Sequence, residues 1–217
     1  MCAYYPESKV EISGFIARYY DMSMDVISLG SYFSMIRKAI QLMHISPSDR
    51  ILDLGAGTGR NACLMMKYLS TNGELIGIDI SKEMIAQFKK RCASLANAKI
   101  VNQRIDKSLA YEDEFNKAFI SFVLHGFPQE VRRSIIRNAC KALKKHGEFF
   151  ILDYNEFSLK EMPLYLKIPF KFIECPYAFD FIEKDWQKIL AEEGFNRFEK
   201  HLFFGGYIRL LKGVKKS

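Results

Sequence analysis

The chain is short of the residues that build stapled, membrane-spanning or nucleic-acid-reading proteins. Its five cysteines stand far apart, at positions 2, 63, 92, 140 and 175, and none forms a Cys-x-x-Cys pair. An odd, dispersed set argues against a disulfide framework and a structural zinc site. Cys63, Cys92 and Cys140 are therefore expected as small core residues, and no metal is expected. No apolar stretch approaches the roughly 20 residues that a bilayer crossing needs. The start, MCAYYPESKVEISGF, lacks the basic block and apolar segment of a secretory signal, so a cytoplasmic location is expected. Repeats, low-complexity tracts and long linkers are missing as well. So are helix-turn-helix, zinc-finger and aromatic RNA-binding patterns.

The net charge of +7 is therefore not read as nucleic-acid binding. Much of the excess is local, at Lys89–Lys90, Arg132–Arg133, Lys144–Lys145 and the tail KGVKKS, and these are expected as solvated charges at the ends of elements. A basic face still suits an anionic substrate or a membrane surface.

What is present is a hydrophobic fraction of 49% over 217 residues, enough for the core of a single domain. Residues 10–21 and 30–44 read as helices, the second with Phe33, Ile36, Ile40 and Met43 on one face. RILDLG, GELIGID, AKIVNQRI, FNKAFISFVL and EFFILDYN read as strands. RNACLMMKYLS, SKEMIAQFKKRCASL and QEVRRSIIRNACKAL read as the helices between them, with Ser81 as an N-cap and KKHG as a turn. DWQKILAEEGF reads as a helix and HLFFGGYIRLLKGVKK as a terminal pair of strands. This alternation predicts a mostly parallel sheet with right-handed crossovers and helices on both faces. The expected divisions are a helical cap at 1–45, a binding core at 46–156, an insertion or lid at 157–182, and a helix with strands at 183–217.

Ligands on such sheets bind beyond the carboxyl ends of the strands. That rule selects Asp53 to Gly59, Asp79, Asp106, Ser121 to His125, and Asp153 to Asn155. The loop ILDLGAGTGR has no lysine, which excludes a phosphate loop of the G-x-x-x-x-G-K-[ST] kind. Its glycines fall at 55, 57 and 59, tighter than the G-x-G-x-x-G of dinucleotide folds. Asp53 just before them would repel a pyrophosphate and suits a cationic ligand. Asp79 can accept the two hydroxyl protons of a ribose, and Asp106 is placed to accept from an adenine amino group. A nucleoside joined to a phosphate-free cation describes S-adenosylmethionine.

These residues resemble the class I S-adenosylmethionine-dependent methyltransferases over about Ile51 to Tyr154. DLGAGTG is similar to that family's first motif, IGIDIS to the second, RID to the third and ISFVLHGF to the fourth. The resemblance implies a Rossmann-like, mostly parallel seven-stranded sheet with an antiparallel C-terminal strand. IARYYDMSMDVISLGSYFSMIRKAI and FFGGYIRLLKGVKK loosely resemble the ubiquinone/menaquinone C-methyltransferase group. By resemblance, Gly55, Ala56, Gly57, Thr58 and Gly59 would meet the methionine part of the cofactor. Asp79 would hold the ribose, and Ile80 and Met84 would pack on the adenine. Ile105, Asp106 and Lys107 would border its edge, Ser121 would close the site and Tyr20 would cover the sulfonium.

A small-molecule acceptor is expected, first a quinone precursor or other lipid-soluble compound, with an amine or phospholipid head group as the alternative. His125 is the candidate base, because histidine titrates near neutrality. Tyr19, Tyr20, Tyr154 and Tyr177 are candidates to line an aromatic acceptor pocket and lie against the cation, and Asp153 and Asn155 to meet the substrate. MPLYLKIPFKFI suits a greasy ligand, a peripheral membrane contact or a buried lid. A nicotinamide-dependent reductase and a non-catalytic cofactor-binding protein are the rival readings. Oligomeric state has no signature here.

Overall fold

In the sequence, apolar runs stop at acids or glycines and amphipathic segments follow. In the computed structural model, which describes residue 8 and residues 31–217, each such run is a strand and each such segment a helix. The first half comprises α1 (Ser31–Gln41), β1 (Arg50–Leu54), α2 (Arg60–Met65), β2 (Glu74–Asp79), α3 (Lys82–Arg91), β3 (Ala98–Asn102) and β4 (Phe115–Ser121). After it come α4 (Gln129–Ala142), β5 (Leu143–Tyr154), α5 (Leu164–Ile173), α6 (Pro176–Phe181), α7 (Trp186–Glu192), β6 (Phe195–Phe203) and β7 (Ile208–Lys215). The helix expected at 10–21, and Tyr19 and Tyr20 with the preceding chain, lie outside the described residues.

The seven strands form one sheet in the order β3-β2-β1-β4-β5-β7-β6. β1 to β5 run parallel, while β7 is antiparallel to both β5 and β6. Because the inner strands are buried on both faces, their side chains divide between two cores. Leu52, Leu54, Ile120, Phe149 and Ile151 pack toward α4 and α7. Ile51, Phe119, Phe150 and Leu152 pack toward α1 and α2. Trp186 is fully buried and stacks on Phe181 with centroids 4.2 Å apart. In α1, Ile36, Ile40 and Met43 are buried as expected, whereas Phe33 is outside the core and lies under the Arg60 guanidinium at 5.0 Å. Ser81 caps α3, its hydroxyl accepting from the Met84 N–H at 3.3 Å.

Several local details differ from these expectations or add to them. KKHG does not separate α4 from β5. It bulges out within β5, where five steps of the strand match two of β4 and His146 takes a positive φ of 62°. β3 stops at Asn102, so Asp106 stands in the following loop and not at a strand end. Residues 157–182 contain two short helices, α5 and α6. Arg132, expected as a solvated charge, is completely buried. Of the cysteines, Cys92 is buried while Cys63 and Cys140 are half-buried. The sulfurs of Cys63 and Cys92 lie 3.1 Å apart, and burial, then its hydrogen bond to Cys63, push the Cys92 thiol up to about 12.

Candidate active site

The chain leaves β1 for α2 and β2 on one side, and leaves β4 for α4 and β5 on the other. β1 and β4 are neighbours, so a crevice opens between their carboxyl ends. One wall is the glycine loop. Gly55 and Ala56 donate their N–H groups to the Ile78 carbonyl at 2.9 and 3.0 Å, and Gly57 donates to Asp79 Oδ2 at 2.8 Å. Gly59 has φ 79°, and a Cβ there would stand 2.8 Å from the Phe88 ring, so only glycine lets α2 start against α3. Gly57 also has a positive φ, 55°, but a Cβ there would meet nothing within 4 Å among the described residues. Among the described residues, its side of the loop is open.

Two carboxyl groups flank that space. Asp53 is buried, and its Oδ2 has no hydrogen-bond partner among the described residues. Burial first, and then the charge of Asp79, raise its pKa to about 7. Asp79 is half-buried and spends Oδ1 on the Ser81 N–H at 2.9 Å. Burial raises its pKa too, against the lowering effect of hydrogen bonds from Ser81, Gly57 and Ile80. Ile80 is half-buried, while Met84 and Ile105 are buried. Thr58 is buried, and its hydroxyl accepts from Arg91 at 2.7 Å. Asp106 is held by Arg104 through two contacts of 2.9 and 2.6 Å, and the exposed Lys107 approaches it at 4.0 Å.

The opposite wall comes from β4 and β5. Ser121 Oγ is buried without a hydrogen-bond partner among the described residues. Phe122 follows with φ 52°, a left-handed conformation costly for an aromatic residue by about 1–3 kcal/mol. It is held by its N–H to the Leu152 carbonyl at 2.9 Å, and it turns the chain so that Val123 abuts Gly55. His125 then lies in a single 3₁₀ turn, Leu124–Gly126, rather than on the strand. Its Nδ1 is 2.7 Å from Asp153 Oδ1, and its Nε2 is 3.5 Å from Glu174 Oε2. Burial opposes the imidazolium, but the charge and hydrogen bond of Asp153, aided by Glu174, outweigh it and raise the pKa.

Sequence reasoning missed two residues of this wall. Glu174, the residue that closes α5, also accepts a hydrogen bond from the Tyr154 hydroxyl at 2.6 Å. Arg132 donates to the carbonyls of Leu124, His125 and Tyr177 and pairs with Asp180 at 2.7 Å, locking the His125 turn to α6. Asp153 was expected to meet substrate; it is 1% exposed and serves His125 instead. Asn155 donates to the Gly206 carbonyl at 2.8 Å.

Beyond Tyr154 lies a cavity of about 570 Å³ lined by Phe157, Met162, Leu166, Phe170, Glu174 and Tyr207, among others. Tyr154 joins it to the crevice, its ring 5.1 Å from His125 on one side and 5.1 Å from Phe170 on the other. Tyr177 does not line this cavity.

A family model described as a methyltransferase domain matches residues 45–194. The chain is 24% identical over 230 residues to the ubiquinone/menaquinone biosynthesis C-methyltransferase UbiE of Ectopseudomonas mendocina, a match covering 96% of this chain and 89% of the relative. It is 29% identical over 141 residues to the 2-phytyl-1,4-naphtoquinone methyltransferase of Synechococcus elongatus, over 64% of this chain and 60% of the relative. An S-adenosylmethionine-dependent methyltransferase from Aquifex aeolicus shares the fold with a TM-score of 0.61 at 15% identity, over 83% of this chain and 89% of the other. The chain therefore belongs to the methyltransferase-domain family, as a class I S-adenosylmethionine-dependent methyltransferase loosely related to the ubiquinone/menaquinone C-methyltransferase group.

Proposed function

We propose that this methyltransferase acts on a small, lipid-soluble acceptor carrying an ionisable hydroxyl, with a quinone precursor as the leading class. The apolar cavity that meets His125 through Tyr154 and Glu174 carries this reading. The quinone-related names of the two sequence relatives support the acceptor class.

The residues of the crevice fit the cofactor. The unpartnered oxygens of Asp53 and Ser121 suit a cationic, polar ligand, and the open space at Gly57 admits close approach to backbone. In this reading Gly55, Ala56, Gly57 and Gly59 line the amino-acid part and Asp79 accepts from the ribose. Ile80 and Met84 pack on the base, Ile105, Asp106 and Lys107 border it, and Ser121 closes the far side. Thr58 acts indirectly, by tying the loop to Arg91. S-adenosylmethionine, when bound, supplies a methyl carbon activated by a positive sulfur.

The chain's own work is to hold and orient. Near-attack positioning is worth roughly 7–11 kcal/mol in favourable systems. His125 Nε2 takes the proton of the acceptor hydroxyl, Asp153 fixes the ring through Nδ1, and Glu174 stabilises the imidazolium that forms. A second reading, an amine acceptor, has support from the Glu174 carboxylate set among Tyr154, Phe157 and Phe170. In either reading Tyr154 borders the acceptor. Free thiols at Cys63, Cys92, Cys140 and Cys175 support a reducing, cytoplasmic setting, from which a lipid-soluble acceptor is collected at a membrane surface.

The test is an acceptor screen scored by S-adenosylhomocysteine release, with prenylated hydroquinones, their unprenylated parents and amines. Preferential turnover of prenylated hydroquinones is expected. Turnover of amines alone would move the assignment to the second reading.

A further inference from the structure

We infer that α5 is an interfacial anchor whose outward face binds an anionic membrane surface and turns the mouth of the acceptor cavity toward the bilayer. The helix, LYLKIPFKFI, contains no acid and two lysines. Leu164, Ile168 and Phe172 recur at four-residue spacing and are 71%, 53% and 81% exposed, with Tyr165 beside them at 75%. A surface helix ordinarily turns such a stripe to the core and its polar side to water. Here the inward side is met by Phe170, 9% exposed, and the wider apolar stripe faces out. Lys167 and Lys171, also four apart, flank that stripe along one border.

Three features favour an anionic bilayer as the occupant. The lysines put two positive charges where an interfacial helix meets head groups. The patch is continuous with the cavity, since Tyr165 and Leu166 line its mouth and Phe204, 45% exposed, forms part of the same lining. A lipid-soluble molecule leaving the bilayer at α5 would then pass directly to Tyr154. A second copy of the chain packed face to face with its helix antiparallel would set Lys167 and Lys171 against like charges. The use of the anchor rests on the reading of the acceptor as lipid-soluble; the binding itself does not.

The test is flotation of the full chain, without cofactor or acceptor, on phosphatidylcholine vesicles and on vesicles of equal parts phosphatidylcholine and phosphatidylglycerol. The chain is expected to float with the mixed vesicles, weakly with the neutral ones, and to be released by salt. Lys167→Gln and Lys171→Gln should each weaken binding to the mixed vesicles about fivefold. The double variant Ile168→Ser/Phe172→Ser should weaken it at least about tenfold on both. All four side chains lie outside the catalytic machinery, so calorimetric affinity for S-adenosylhomocysteine should match the wild type and report an intact fold. Absence of flotation with either vesicle would overturn the proposal, as would equal flotation of wild type and the apolar double variant. A dimer that these serines dissolve, without vesicle binding, would overturn it in favour of self-association. Vesicle binding with no turnover of any lipophilic acceptor keeps the anchor and removes the acceptor reading. Turnover of a dispersed lipophilic acceptor without vesicle binding removes the anchor alone.

Discussion

Asp153 grips His125 through both carboxylate oxygens: Oδ1 is 2.7 Å from the ring Nδ1, and Oδ2 accepts the His125 backbone N–H at 3.2 Å. One acid therefore fixes the ring and the turn that carries it. Nε2 is left 3.5 Å from Glu174, which lines the cavity together with Tyr154.

His125→Gln should lower turnover about 10²–10⁴-fold while leaving S-adenosylhomocysteine affinity within a small factor. Asp153→Asn should lower turnover comparably and also lower the melting temperature, because its partners stay buried. Single-turnover kinetics and calorimetry separate the two effects. Unchanged turnover in His125→Gln would remove its role as base.

The raised pKa of His125 gives a paired pH signature. Its folded value lies above the ordinary value of about 6.5. The stability from its pairing is thus complete below that value and is lost as pH rises through the folded pKa. Turnover moves the other way, since only neutral His125 accepts a proton. A pH series of melting temperature should fall where the pH–rate profile climbs, and His125→Gln should flatten both.

Asp53 titrates at about 7 in the fold. Its carboxylate form favours a cationic ligand, so S-adenosylmethionine affinity should rise from about pH 6 to about pH 8. Asp53→Asn should abolish that dependence. Asp79→Ala should weaken binding about tenfold to a hundredfold, since hydrogen bonds to a charged group are worth roughly 1.5–3 kcal/mol each. Calorimetric titration across pH checks both.

Gly57→Ala and Gly59→Ala should fail differently. At Gly57 the added methyl enters open space, so stability falls only by the αL cost of about 1–2 kcal/mol while cofactor affinity drops sharply. At Gly59 it strikes Phe88, and the fold itself should suffer more. Comparing melting temperature with affinity for each variant reads the difference.

Arg132→Met should destabilise the fold by about 3 kcal/mol or more, because three carbonyls lose their buried charged donor. Denaturant unfolding measures it.

The cofactor side of the crevice was legible because its residues obey local rules. Asp53 and Asp79 end short apolar runs, and the glycines stand where the chain must turn from strand to helix. The acceptor side was less legible because its contacts join distant segments. Glu174 meets His125 across 49 positions, and its helix carries its larger apolar stripe outward, so periodicity could not assign it a face. Arg132 sits in a basic pair typical of solvated helices, and only the position of α6 makes it a buried donor. Thr58 belonged to a motif, but Arg91 claims its hydroxyl. Asp106 was assigned to a strand end by extending β3 past Asn102. Cys63 and Cys92 meet through the packing of α2 on α3, a contact that their spacing does not announce.

The most direct measurement follows labelled methyl from S-adenosylmethionine into an equimolar mixture of a prenylated hydroquinone and a lipophilic amine, in wild type and Phe170→Trp. The account predicts label on the hydroquinone alone, with incorporation collapsing when the tryptophan narrows the cavity while cofactor affinity stays constant. Label on the amine, or transfer indifferent to Phe170→Trp, would contradict it.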